Sequence, residues 1–190
     1  MAITKHTLVA LVEDKPGVLN RVSSLIRRRN FNIESIAVGH AERPNLSRMI
    51  IVVNGDDAGV EQVRKQLDKV IEVVKIVDIT KDEPVHRELA LVKVKATAST
   101  RSEIIQIVDI FRANIVDVSS DSLMVRVTGD EDKIDSLLDL LRGFGIMEIA
   151  RTGRIALTRG GGGPLLVEET KIPKQPPEPP ASGAESPPNW

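Results

Sequence analysis

The chain carries one order of strand and helix patterns twice, and this repetition limits its fold more than any other feature of the sequence. Each copy reads strand, helix, strand, strand, helix, strand, and the two copies begin about 80 residues apart. This βαββαβ order is the ferredoxin-like supersecondary pattern, in which the helices cover one face of the sheet. The sequence therefore predicts an α+β protein made of two tandem ferredoxin-like units.

In the first copy, apolar runs predict four strands, and apolar residues at helical spacing predict two helices. The strands are expected at 7–13, 32–38, 48–53 and 73–79. The helical stripes are Val18, Val22, Leu25 and Ile26 in the first helix, and Val60, Val63, Leu67 and Val70 in the second. Pro44 and Asn45 indicate a turn between the second and third strands.

The second copy follows a polar break at residues 81–84 and repeats the pattern with different residues. Its strands are expected at 88–95, 114–118, 123–127 and 146–150, the last running on through 155–157. Its helical stripes are Ile104, Ile107, Val108 and Phe111, and then Ile134, Leu137, Leu138 and Leu141. Each copy has only about 75 residues, a size at which one hydrophobic core is marginal, so association with another chain is expected.

The segment 160–190 differs in composition from everything before it. Glycines fill positions 160–163, and the end of the chain, "KIPKQPPEPPASGAESPPNW", has too few apolar residues to offset the entropy of an ordered chain. We therefore predict a disordered tail, with the glycines as a flexible tether rather than a phosphate-binding loop, since no Lys and Ser or Thr follow them. The predicted domain boundaries are 1–81, 82–159 and 160–190.

Charge and composition argue against several classes of partner. The 26 Lys and Arg residues nearly balance the 27 Asp and Glu residues, so no net field attracts nucleic acid or an anionic membrane. Aromatic residues make up 2% of the chain, too few for a platform that stacks bases. The chain has no cysteine, no signal-peptide pattern and no apolar run as long as a membrane span, which favours a cytoplasmic protein.

The sequence offers no constellation of residues that would support catalysis or bind a metal. His6, His40 and His86 are far apart, and none has a partner at metal-ligand spacing. Carboxylate pairs such as Asp56 and Asp57 lie at predicted turns, where helix capping explains them. We therefore predict no catalytic residue, no metal site and no enzymatic activity of this chain's own.

The stretch "EDKPG" joins the first predicted strand to the first helix and has two interpretations. In the first, Pro16 and Gly17 shape a turn and Asp14 caps a helix, so the stretch only connects two elements. In the second, Gly17 lets a ligand approach the backbone closely, and the free amides at the helix start attract a carboxylate. The second copy has "KATASTRSE" at the equivalent place, with neither Pro nor Gly. We therefore expect the two units to differ in function.

The second interpretation specifies the chemistry of the ligand. Asp14 or Asn32 would accept hydrogen bonds from an ammonium group. Val18, Leu19 and Ile33 would receive an aliphatic side chain. A zwitterionic, branched amino acid matches this set of residues.

Several long stretches of the chain resemble the acetolactate synthase small subunit, which is the regulatory subunit of acetohydroxyacid synthase. The segments "LVALVEDKPGVLNRVSSLIRRRNFNIESIAVG" and "LSRMIIVV" resemble its N-terminal half. The segments "RELALVKV", "FRANIVDVSSDSLMVRVTGDEDKIDSLL" and "EIARTGRIALTRG" resemble its C-terminal half. The resemblance covers residues 1–159 in order and does not extend to the tail.

The resemblance implies an N-terminal ACT domain at 1–81, for effector binding and dimerisation, followed by a ferredoxin-like small-subunit domain. It implies a subunit without an active site that binds and activates a catalytic large subunit and confers feedback inhibition by branched-chain amino acids, usually valine. Thiamine diphosphate, magnesium and FAD are expected on the large subunit, and no cofactor on this chain. The alternative is a free-standing amino-acid-sensing ACT protein that regulates another partner.

The resemblance also locates the effector site. In the family, valine lies between paired ACT domains, where it touches the strand–helix loop of one chain and the start of the second strand of the other. A homodimer is therefore expected. The implied effector-binding residues are Asp14, Pro16, Gly17, Val18, Leu19, Asn32 and Ile33.

Overall fold

The computed structural model describes residues 4–160, which form two antiparallel sheets with helices packed on one face of each. The elements of the first unit are β1 (Thr4–Glu13), α1 (Val18–Arg28), β2 (Ile33–His40), β3 (Leu46–Gly55), α2 (Asp57–Leu67) and β4 (Val73–Asp78). Its strands lie in the order β2-β3-β1-β4, so β2 and β4 are the edges. The predicted disordered tail lies, apart from Gly160, outside the described residues.

A short 3-10 turn, Thr80–Asp82, leads into the second unit. Its elements are β5 (Val85–Lys95), α3 (Arg101–Ile110), β6 (Asn114–Val118), β7 (Ser122–Gly129), α4 (Glu131–Arg142), β8 (Ile146–Arg151) and β9 (Ile155–Leu157). The strand order is β6-β7-β5-β8, and β9 also pairs with β5. The predicted α+β architecture of two ferredoxin-like units is confirmed.

Each unit has its own aliphatic core between its sheet and its helices. In α1 the predicted stripe is buried through Val18, Val22 and Ile26, which pack on the sheet. The stripe of α4 is buried in the same way, and Leu137 and Leu141 are fully buried among the second core. Helical spacing of apolar residues therefore predicted both the helices and the faces that they bury.

The strand expected to run from 146 through 157 is interrupted. β8 pairs with β5 up to Arg151, and β9 pairs with the first residues of β5 from Ile155 onward. The residues between them form a turn, because Gly153 adopts a φ of 77°, in the left-handed region that a strand excludes. This turn separates β9 from β8, and the two strands pair with different parts of β5.

The first sheet is covered on both faces. Leu8, Ala10 and Val12 point into the helix-covered core, whereas Val9 points to the opposite face. There Val9 packs with Ile50, Ile79 and Ala156, and Ala156 belongs to β9 of the second unit. This apolar contact joins the two units.

Within residues 4–160, no helix has both the length and the apolar character needed to cross a membrane.

Candidate effector site

The loop between β1 and α1 is a tight turn held by backbone hydrogen bonds. The amide of Asp14 donates to the carbonyl of Asn45 at 2.9 Å, and the amide of Lys15 donates to the carbonyl of Glu13 at 3.0 Å. The ammonium group of Lys15 also lies 2.6 Å from the Glu13 carboxylate. These contacts hold the loop against the β2–β3 connection while Gly17 stays exposed.

Gly17 is the N-cap of α1 and has a φ of 86°, a left-handed conformation that favours glycine. A Cβ placed there would meet no atom of the described residues within 4 Å, so the loop is open at this point. Glycine has no side chain with which to cap the first turn of α1, whereas Asp56 caps α2 and Asp130 caps α4 with hydrogen bonds of 3.0 Å. The start of α1 therefore suits a bound carboxylate, which would accept from amides of its first turn.

The side chains around this helix start divide between the core and the surface. Val18 is buried in the first core, whereas Leu19 is 46% exposed. Pro16 is exposed as well, and as a proline it fixes the backbone angle that precedes Gly17. Of the two predicted apolar contacts at the loop, Leu19 is thus the one whose side chain is open to a ligand.

The equivalent loop of the second unit, between β5 and α3, is closed by its own hydroxyl groups. Thr97 Oγ1 lies 2.9 Å from Ser99 Oγ and 3.1 Å from Thr100 Oγ1. The amide of Thr97 donates to Thr100 Oγ1 at 3.0 Å. The two loops therefore differ in chemistry as well as in sequence, and the first is the more open of the two.

The start of β2 lies at the opposite end of the first sheet from the β1–α1 loop. Ile33 faces Val53 on β3, which in turn faces His6 on β1, whereas the loop follows Glu13. On β1, the start of β2 is thus level with His6 and the loop with Glu13. At a rise of roughly 3.3 Å per residue, these two residues are roughly 23 Å apart. Asn32 and Ile33 therefore cannot share a small ligand with the loop of their own chain.

The three histidines lie in three different places. His6 is buried, with its Nδ1 2.7 Å from an oxygen of Asp78. His40, at the end of β2, places its Nδ1 3.1 Å from an oxygen of Asp14, and His86 lines a cavity between the units. Within residues 4–160, no group of three or more His, Asp or Glu side chains is placed to hold a metal ion.

His40 and Asn45 are neighbours of the loop that sequence reasoning missed. His40 contacts the Asp14 carboxylate, and the carbonyl of Asn45 accepts from the Asp14 amide. The register of the strands would have found both, because the end of β2 and the start of β3 meet beside the end of β1. Both therefore contact Asp14, the proposed acceptor for an ammonium group.

Asn32 and Ile33 line a cavity of about 580 Å³ between the two units. Charged side chains of both units line this cavity and form ion pairs. Lys5 Nζ lies 3.0 Å from Glu34 Oε2 and 2.7 Å from Glu131 Oε1. The hydrogen bond to Glu131 raises the pKa of Lys5, and the hydrogen bond from Lys5 lowers the pKa of Glu131. The start of β2 is therefore in contact, through paired charges, with the start of α4.

β2 is the edge strand of the first sheet, and its outer side is unpaired within the described residues. Val38 on this strand is 47% exposed. A second cavity, of about 960 Å³, runs beside the end of β2 and is lined by apolar residues such as Val38, Ile155 and Leu157. An exposed apolar edge of this kind is a template for pairing with another strand.

Comparison with known proteins places both units in one family. A family model described as "AHAS small subunit-like ACT domain" matches residues 8–75, and one described as "Small subunit of acetolactate synthase" matches residues 87–160. A probable acetolactate synthase small subunit from Archaeoglobus fulgidus is 58% identical over 156 residues, which cover 82% of this chain and 98% of that protein. The acetolactate synthase small subunit from Mycolicibacterium smegmatis is 54% identical over 155 residues, which cover 82% and 91% of the two chains.

A solved structure agrees with these sequence matches. The acetolactate synthase small subunit from Thermotoga maritima has a TM-score of 0.78 and 42% identity, over 84% of this chain and 100% of that one. The molecule is thus a protein of tandem ferredoxin-like units with an ACT domain at its N-terminus. The chain belongs to the acetolactate synthase small-subunit family, as the resemblance of its sequence predicted.

Proposed function

We propose that this chain is a non-catalytic regulatory subunit that binds and activates the large subunit of acetolactate synthase and confers feedback inhibition by valine. The observation that carries the proposal is family membership across both units, with 58% identity over 98% of the length of one small subunit. In this proposal residues 1–81 bind the effector and form the dimer, and residues 82–159 form the C-terminal ferredoxin-like small-subunit domain. Thiamine diphosphate, magnesium and FAD belong to the large subunit, and the complex is cytoplasmic.

The geometry of β2 supports one way in which the two halves of the proposed effector site would meet. In one chain Ile33 lies at the end of the sheet opposite the β1–α1 loop, while His40 lies beside that loop. When two β2 edges pair antiparallel about a two-fold axis, the start of each strand lies beside the end of the other. Asn32 and Ile33 of one chain then reach the loop of a second copy, and a dimer contains two equivalent sites.

Each part of valine has a partner in such a site. Amides of the first turn of α1 donate to the carboxylate, with Gly17 leaving room for the ligand backbone. Asp14, held by His40, and Asn32 of the second copy accept from the ammonium group. Leu19 and the second copy's Ile33 contact the isopropyl group.

Reconstitution with the cognate large subunit tests the proposal directly. The isolated chain is expected to form no acetolactate from pyruvate, even with thiamine diphosphate, magnesium and FAD present. Added to the large subunit, it is expected to copurify with it, raise its activity and make that activity valine-sensitive. Turnover by the pure chain, or failure to bind the large subunit, would contradict the proposal, and the second result would favour an ACT protein with another partner.

Asn32→Ala is expected to weaken valine inhibition without affecting activation. Removal of the amide leaves the ammonium group of valine short of one acceptor, which costs about 1–3 kcal/mol and so raises the inhibitory concentration about 5- to 150-fold. The measurement is a valine titration of the reconstituted complex.

Asn114→Ala is the matched control for this variant. Asn114 begins β6 in the second unit as Asn32 precedes β2 in the first, and both asparagines are exposed. Its side chain accepts a hydrogen bond from Arg126 at 3.0 Å, so the variant reports on the loss of a surface hydrogen bond alone. If the inhibitory concentration of valine shifts equally in both variants, Asn32 does not belong to the effector site.

A further inference from the structure

The turn between β8 and β9 makes a close contact with the start of β2. Gly153 is buried in this turn and has a φ of 77°. A Cβ on Gly153 would lie 3.1 Å from Cβ and 3.4 Å from Oγ of Ser35. Both its conformation and its contact with Ser35 therefore favour glycine at this position, and the second unit touches β2 without an intervening gap.

Arg154 extends this contact with three hydrogen bonds to three different elements. Its backbone amide donates to Ser35 Oγ at 3.4 Å, and its Nη1 donates to Thr7 Oγ1 on β1 at 3.1 Å. Its Nη2 donates to Glu131 Oε2, at the start of α4, at 2.8 Å. The guanidinium side chain is only 18% exposed, so water screens these bonds weakly.

Glu131 joins the same network to the first unit by a second path. Its other oxygen accepts from Lys5 at 2.7 Å, and Lys5 lies 3.0 Å from Glu34 on β2. The carboxylate thus connects two cations, one on each unit. We name the set Lys5, Glu34, Ser35, Glu131, Gly153 and Arg154 the β2 clamp.

The β2 clamp lies directly beside the residues that complete the effector site. The pairing of β2 with β3 shifts register between Ile33 and Ser35, so Glu34 is the extra residue of a β-bulge. A bulge loosens the ladder locally and re-aims the side chains on either side of it. Ile33, which contacts the effector in the proposed site, and Ser35, which contacts Gly153, are those flanking residues. A shift at one would therefore move the other.

The apolar joint between the units is separate from the β2 clamp. Ala156 packs against Val9, Ile50 and Ile79, and β9 continues to pair with β5. These contacts hold the two units together by burial of apolar surface. Loss of charge in the β2 clamp should therefore leave the fold and the association of the units intact.

We propose that the β2 clamp carries the effector signal: occupancy of the site at the start of β2 shifts Ser35, and Arg154 passes that shift to β9 and α4 of the second unit. The inference rests on the proposed function, since it assigns the coupling of that same site. A ligand shifts an equilibrium between two conformations only when it binds them with unequal affinity. In this proposal the contacts of the β2 clamp are those that differ between the two conformations. Arg154 is a positioning residue that does not touch the effector.

The test separates binding of valine from its effect. Glu131→Gln removes one charge and keeps the side-chain size, and Arg154→Met removes the guanidinium group and keeps an unbranched apolar chain. Arg142→Met, at an exposed position at the end of α4, is the matched control. For each full-length variant, valine binding is measured by calorimetry and valine inhibition is measured on the complex with the large subunit. A thermal melt confirms that each variant folds.

The two β2 clamp variants are expected to bind valine within about threefold of the wild type, while maximal inhibition falls by at least half. Arg142→Met is expected to match the wild type in both measurements. Unchanged inhibition in both β2 clamp variants, or binding and inhibition lost in parallel, would overturn the inference. A wild-type chain that does not bind valine would instead overturn the proposed function, a result distinguishable from either of these.

Discussion

Gly17→Asp is expected to abolish valine inhibition of the reconstituted complex while the large subunit stays activated. The new carboxylate stands at the start of α1, where the carboxylate of valine would accept from amides of the first turn. It occupies that position itself and repels the ligand's negative charge. Because a Cβ at Gly17 meets no atom of the described residues within 4 Å, the substitution should fit without disturbing the core.

Gly17→Asn is the control that isolates charge from conformation. Both Asp and Asn visit the left-handed region that Gly17 occupies, at a cost of about 1–2 kcal/mol. A thermal melt should therefore show similar, modest destabilisation of the two variants. The asparagine variant is expected to keep a weakened valine response, since it adds bulk without charge. If the folded aspartate variant stays as valine-sensitive as the wild type, "EDKPG" is only a turn.

Local sequence patterns predicted the elements of the fold because each element buries its own apolar face. The stripe Val60, Val63 and Leu67 forms the buried side of α2, and the predicted strand at 114–118 is β6 as observed. Helix and strand periodicities are set within a few residues, so a single sequence contains them. The turn at Gly153 was missed because its neighbours on both sides have strand character.

The candidate site was less predictable because its parts come together through pairing across the sheet. Gly17 and the open start of α1 were predicted, since strand, turn and helix are consecutive there. The contact of His40 with Asp14 depends on the register of β2 against β3, and the contact of Arg154 with Ser35 joins residues more than a hundred positions apart. No local pattern encodes such contacts, because register and docking are set by the packing of whole units.

Val38→Lys is expected to convert the proposed dimer into a monomer and to remove the proposed valine inhibition at the same time. Val38 lies on the edge strand β2, is 47% exposed and lines an apolar cavity. Natural proteins place lysine on edge strands to prevent pairing, and a two-fold interface would contain the new charge twice. In the proposed site, Asn32 and Ile33 act on the loop of a second copy, so separated chains have no complete site.

The measurement combines light scattering after size-exclusion chromatography with a valine titration of the complex. Val38→Thr is the matched control, since threonine is also β-branched and fits a strand but adds no charge. We expect it to stay dimeric and valine-sensitive. The effector sites lie at the interface only if mass and inhibition change together in the lysine variant. A dimeric lysine variant with normal inhibition would place the interface away from β2, whereas a monomeric variant that valine still inhibits would place the whole effector site within one chain.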